Sequence, residues 1–161
     1  MKKARTAAII MLIVTAAMIF YLTSQNPEQT VRLTQRAIEK LPEFLIQPRD
    51  KNGNIILSAR RMAHIYQFAL MGIFSGFIMY TFEQPNIISR TLIAAAICAA
   101  YSLFDQLHKL FVPGREFDTF DLKLDAAGYI PAIILTITIC CLTRSAVNRT
   151  KTYKFNNLQE Y

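Results

Sequence analysis

Four stretches of this chain are nearly free of charge, and each is about as long as a bilayer is thick. Ala7 to Leu22 has no charged side chain, Met62 to Phe82 has only His64, Ile87 to Phe104 has only Arg90, and Ala126 to Thr143 has none. The runs are about 16–21 residues long, near the ~20 that an α-helix needs to cross ~30 Å of hydrocarbon. A soluble four-helix protein would carry a polar face at the helical period, and these runs mostly do not. The expected fold is therefore all-α: a polytopic membrane protein with four transmembrane helices. Its spans are expected at about 7–23, 62–82, 87–104 and 124–143, within one domain over residues 1–161.

Met1-Lys2-Lys3-Ala4-Arg5 ahead of the first run also fits a secretory signal peptide. The bulky exit Phe20-Tyr21-Leu22-Thr23-Ser24 shows no small-x-small cleavage pattern, so an uncleaved first span is expected. The net charge of +7 does not call for nucleic acid. Lys2, Lys3 and Arg5 precede the first span, and Arg144, Arg149, Lys151 and Lys154 follow the last. Both clusters mark cytoplasmic ends under the positive-inside rule. Four spans with both termini inside place an outer loop at 24–61, the 105–125 connection outside, and a cytoplasmic tail at 144–161. The outer segments then hold ten Lys/Arg against eight inside, so the flanks of the first span decide the orientation. Cys98, Cys140 and Cys141 all lie in spans, with no disulfide or zinc spacing, and are expected to pack as small apolar residues.

The outer loop carries helix signals of its own. Asn26 suits an N-cap, Pro27 the first helical position and Glu28 the first turn. Val31, Ile38, Leu41 and Leu45 share a broad side, away from Arg32, Arg36 and Glu39. An outer amphipathic helix lying on the leaflet or over the span ends is expected. Pro42 and Pro48 end it, and Asn52-Gly53-Asn54 marks a turn.

Costly polar residues gather where three spans reach one side. Arg61 and His64 are three apart, with Gln67 a turn further; Asp105 and His108 are three apart; Asp121 and Asp125 are four apart, with Gly128 following. Each pair shares a helix face. Ionisable groups at the edge of hydrocarbon are functional candidates. Between spans three and four, Pro113 stops a helix and Gly114 can take positive φ, turning the chain back and presenting Arg115 to the same side. Gly128 allows close approach to the fourth helix, and Pro131 is expected to kink it.

At these residues the sequence resembles the VanZ-like family of bacterial membrane proteins. Asp105, His108, Phe111, Pro113, Gly114, Arg115, Asp121 and Gly128 match its signature in order and spacing, and Asp125 fills a position often held by Asn or Asp. Arg61 and His64 match a second motif, and Thr23-Ser24-Gln25 a Ser-Gln-rich exit of the first span. The chain departs at Lys109, where the signature has glutamine, and at Gln67-Phe68, where Glu-Tyr is common. The resemblance implies one VanZ-like domain in a bacterial cell membrane. It also implies a family whose founding member is associated with low-level resistance to the glycopeptide teicoplanin.

Two functions follow as expectations. In the first, Arg61, His64, Arg115, Asp121 and Asp125 line an outward polar pocket holding an anionic membrane lipid or lipid-linked cell-wall precursor, with arginine pairing its planar fork to phosphate or carboxylate. In the second, a membrane enzyme acts on a lipid-linked substrate. There His108, oriented by Asp105, serves as base or nucleophile, and the arginines stabilise developing charge. Pro113, Gly114 and Gly128 shape the site in either case. No compact metal-ligand spacing stands out, so no metal or other cofactor is expected. A homo-oligomer is compatible with the sequence, and without an inverted repeat or mid-membrane charge a monomeric transporter is not expected.

Overall fold

A computed structural model describes residues 2–49, 52–55, 57–82 and 86–159, with the backbone alone at 43, 44, 148 and 151–159. Six helices follow one another: α1 (Lys2–Thr23), α2 (Pro27–Lys40), α3 (Glu43–Ile46), α4 (Ala59–Thr81), α5 (Ile87–Lys109) and α6 (Thr119–Gln159). Four of them, α1, α4, α5 and the Thr119–Val147 part of α6, are long and apolar enough to cross a membrane. There is no strand among the described residues, only an isolated bridge between Arg49 and Ile55. That bridge closes the turn at Gly53, whose φ of 83° is the left-handed conformation glycine tolerates.

Helix ends depart from the expected spans because caps and breakers set them, while the apolar runs set only what lies in lipid. α5 continues past residue 104 to Lys109 and unwinds before Pro113 and the positive-φ Gly114 (77°). α6 starts before residue 124, where the Asp118 carboxylate accepts from the Phe120 N–H at 2.8 Å. It passes through Pro131 and residues 144–159, expected as a tail, without a break. The sequence also predicts a short inward turn from Glu83 to Ser89, of which residues 83–85 lie outside the described residues.

The bundle faces outward with its apolar side chains. Ile10, Ile13, Leu92, Leu135 and Leu142 are exposed, whereas the centre is a small cluster of Ile19, Phe68, Met71, Cys98, Ile133 and Ile137. Exposed apolar rows around a thin core are what a lipid solvent permits. α4 and α6 lie closest together. A Cβ on Gly128 would overlap the Ile65 carbonyl oxygen, and one on Gly72 would stand 2.7 Å from the Tyr129 oxygen. Small residues thus let two backbones touch, which draws the start of α4 and the start of α6 together at one end of the bundle.

α2 forms where its cap signals place it. The Asn26 side chain accepts from the Gln29 N–H at 2.9 Å, and Gln29 reaches back to the Asn26 N–H at 3.2 Å. The helix buries no residue of its own.

Candidate functional site

The end of the bundle where α1 and α5 finish and α4 and α6 begin holds a buried polar network. Three carboxylates are in it: Asp105 and Asp121 are each 2% exposed and Asp125 is 0%. Asp105 accepts from the Thr23 hydroxyl at 2.6 Å, tying α5 to α1. Its other oxygen stands 3.6 Å from Lys109 Nζ. That ammonium is itself fully buried and donates to Asp121 at 2.8 Å, tying α5 to α6. Asp121 also lies 3.8 Å from an Arg60 nitrogen and 3.5 Å from His64 Nε2. The far side of the His64 ring pairs through Nδ1 with Asp125 at 2.9 Å, and Asp125 accepts from Ser102 at 2.6 Å.

Burying this many charges is tolerable only when they are paired and hydrogen-bonded. Lys109 and Arg60 face Asp105 and Asp121 here, and the His64 ring lies between Asp121 and Asp125. Two buried atoms, Asp105 Oδ2 and Gln106 Nε2, have no hydrogen-bond partner among the described residues.

Next to the network is a cavity of about 430 Å³. Its walls are mostly apolar: Leu33, Ala37 and Leu41 from the α2 segment, Leu45 and Ile46 from α3, and Ala59, Met62 and Ala63 from α4. Arg60, His64 and Arg115 are its basic lining groups, with Thr30, Thr34, Tyr66 and Gln67 among the neutral polar ones. The face that α2 turns to the cavity runs through Thr30, Leu33, Thr34 and Ala37, while Val31 is exposed. Arg115 is placed by the Pro113-Gly114 turn. It donates from Nε and Nη2 to the Gln25 carbonyl at 3.1 and 2.8 Å, and from Nη2 to Thr30 Oγ1 at 2.5 Å. Burial, and then repulsion from Arg60, lower its pKa from the ordinary arginine value. Two guanidinium groups close enough to repel, lining one cavity, are suited to an anion.

Other expected site residues sit elsewhere. Asp105 and His108 do not pair. His108 packs instead against the end of α1, stacked on Phe20 at 4.3 Å between ring centres, with Nε2 3.0 Å from the Ser24 hydroxyl. Arg61 is not part of the cavity lining; it is exposed and covers the Phe120 ring at 4.7 Å. Among the described residues no group of His, Cys, Asp or Glu is arranged to hold a metal ion.

The family model for VanZ/LLP1 matches residues 8–141, from the first turns of α1 to the middle of α6. The chain belongs to the VanZ/LLP1 family. Neither the curated proteins nor the solved structures contain a match to it. The matched region holds the whole network and cavity, so this end of the bundle is part of the VanZ/LLP1 domain.

Three members of the site were not singled out from the sequence. Arg60 is one residue from Arg61, and both lie within a turn of His64; only the rotation of α4 decides which faces inward. Ser102 and Lys109 fall with Cys98 and Asp105 on one α5 stripe, at spacings of four, three and four. That polar stripe in an apolar helix was a readable signal.

Proposed function

We propose that this VanZ/LLP1 protein binds the anionic headgroup of a membrane lipid or lipid-linked cell-wall precursor. The observation that supports this reading is the convergence of Arg60, Arg115 and His64 on one cavity with mostly apolar walls. Ligand sites of a few hundred Å³ commonly combine apolar lining with a few placed polar groups. The headgroup lies against the two guanidinium groups, and the hydrocarbon lies under α2 and α3. α2, with no buried residue of its own, serves as a roof over the ligand at the membrane surface. An outward-facing cavity of this kind meets lipid-linked intermediates of the cell wall. That is the context in which the resemblance to a teicoplanin-associated family acquires a physical meaning.

Binding and turnover of a lipid-linked precursor by the full-length protein test the reading. Arg115→Ala is expected to weaken binding about tenfold or more, since a charge-assisted hydrogen bond contributes ~1.5–3 kcal/mol. Arg115→Lys keeps the charge, loses the fork and falls between. His108→Ala, outside the cavity, leaves binding intact. Equal affinity across wild type and both arginine variants would sink the proposal.

One observation favours an enzymatic reading. His64 lines the cavity and is held through Nδ1 by Asp125, with Nε2 3.5 Å from Asp121. A histidine held in this way suits a general acid or base, and in this reading the role falls to His64 in place of His108. Turnover abolished by His64→Gln while ligand still binds establishes it; no turnover of any lipid phosphate or ester removes it.

A further inference from the structure

We infer that a second cavity beside the first is a headgroup subsite, and that the ligand is a lipid phosphate esterified on its far side by an uncharged, hydroxyl-bearing group. The inference rests on the binding reading above and concerns what lies beyond the anion.

The second cavity, of about 260 Å³, adjoins the first along a shared wall. Thr30 and Thr34 of α2, Ala59 and Arg60 of α4, and Arg115 line both. The helical period sorts the rest of the α2 segment about that divide. Leu33, Ala37 and Leu41, spaced by four, line only the first cavity. Pro27, Val31 and Gln35, also spaced by four, line only the second. The Thr30–Thr34 row runs between them. An anion held by Arg60 and Arg115 therefore stands where both cavities begin, and each substituent of a phosphate there has a cavity of its own.

The two sides differ in chemistry. Past the divide, the first cavity is walled mainly by aliphatic side chains of α2, α3 and α4. The second adds Gln35, Gln47 and Ser58 to the apolar Pro27 and Val31. Ser58 is the N-cap residue of α4, yet its hydroxyl makes no cap bond. Among the described residues, the side chains of Thr34, Gln35 and Gln47 have no hydrogen-bond partner either. Amides and hydroxyls both donate and accept, which suits a polyol or a sugar, whose hydroxyls do the same. Two guanidinium groups at the divide disfavour a cationic head beside them. Hydrocarbon, phosphate and hydroxyl-bearing head, in that order, are shared by a polyol glycerophospholipid and a glycosylated polyprenyl phosphate.

Full-length protein in phosphatidylcholine nanodiscs tests this, with bound lipid counted by native mass spectrometry over a titration. Affinities are compared in two pairs: phosphatidylglycerol against phosphatidic acid, and glucosyl polyprenyl phosphate against bare polyprenyl phosphate. In at least one pair the esterified lipid is expected to bind about fivefold or more tightly, the gain from one or two hydrogen bonds. The tighter esterified lipid names the source. Charge alone predicts the opposite order, because a phosphomonoester carries more negative charge at pH 7. Gln35 is exposed and Gln47 half-buried, so Gln35→Ala combined with Gln47→Ala leaves the fold in place. That double variant is expected to erase the preference and keep the affinity for the bare phosphate, whereas Arg115→Ala weakens both members of a pair. Equal binding within both pairs overturns this inference, and so does a preference that survives the double variant. Phosphatidylethanolamine binding as well as phosphatidylglycerol overturns the uncharged head. In each of these cases the anionic-lipid reading stands on the loss of bare-phosphate binding in Arg115→Ala. Binding of none of the five lipids overturns that reading and this one together.

Discussion

Lys109 is a lysine with no exposed surface at the end of a membrane-spanning helix. Its position looks like a departure when compared with the glutamine of the VanZ-like signature, yet it lies at the centre of the network, between Asp105 and Asp121. Removing one partner of a buried ion pair costs about 3–5 kcal/mol, because the other charge is left uncompensated. Lys109→Met is therefore expected to destabilise the protein by that order. Lys109→Gln costs less, since its amide still donates to Asp121. Combining Lys109→Met with Asp121→Asn recovers part of the loss, as coupled neighbours do. Unfolding of these three variants and of Asp121→Asn alone in mixed micelles measures this, and strict additivity would count against the pairing. Residue chemistry was largely legible: Asp105, His64, Asp121, Asp125 and Arg115 were readable as costly polar groups at one depth. Partnership was not. Asp105 and His108 share a face by spacing, but each takes its own partner at the end of α1, Asp105 from Thr23 and His108 from Ser24, and Asp105 also lies by Lys109, which donates to Asp121 of α6.

Helices α4 and α6 bring the site together through their glycines, and the same contact explains which element-level features could be read. Gly128 meets the Ile65 carbonyl with no room for a methyl, whereas a Cβ on Gly76 would find Ile133 at an ordinary 3.4 Å. Gly128→Ala is expected to cost about 1–3 kcal/mol, the range for overpacking a filled contact. It also pushes α4 from α6 and lengthens the His64–Asp125 pair. Gly76→Ala is expected to be near neutral. Thermal denaturation of the two alanine variants side by side checks this, and equal midpoints would remove the close approach from the account. The existence and order of the spans were legible because lipid demands long apolar runs. Their ends were not, since α5 and α6 carry Asp105, Lys109 and Asp121 inside the helix: a charge ends a hydrophobic run without ending a helix. The rotation of α4 was likewise unreadable, because Arg60 and Arg61 flank the same face boundary and only packing on α6 selects between them.

Across the whole molecule, successive spans run in opposite directions, so one accessible position fixes the orientation of them all. The network and the α2 roof lie at the same end, away from the N-terminus of α1. Lys2, Lys3 and Arg5 favour a cytoplasmic start for α1, and in the orientation we propose the cavity faces outward. Its ligand is then drawn from the outer leaflet. Single-cysteine labelling reads this out directly. In a background with Cys98, Cys140 and Cys141 replaced by alanine, Arg36→Cys on exposed α2 is expected to react with a membrane-impermeant maleimide in intact cells. Asn86→Cys, at the exposed start of α5, is expected to react only after the membrane is opened. The reverse pattern would turn the molecule over. The ion network and the cavity chemistry would survive that result, because they depend on the helix packing alone. The ligand would then come from the cytoplasmic leaflet, which removes outward-facing cell-wall intermediates as candidates and leaves inner-leaflet amphiphiles as the class to test.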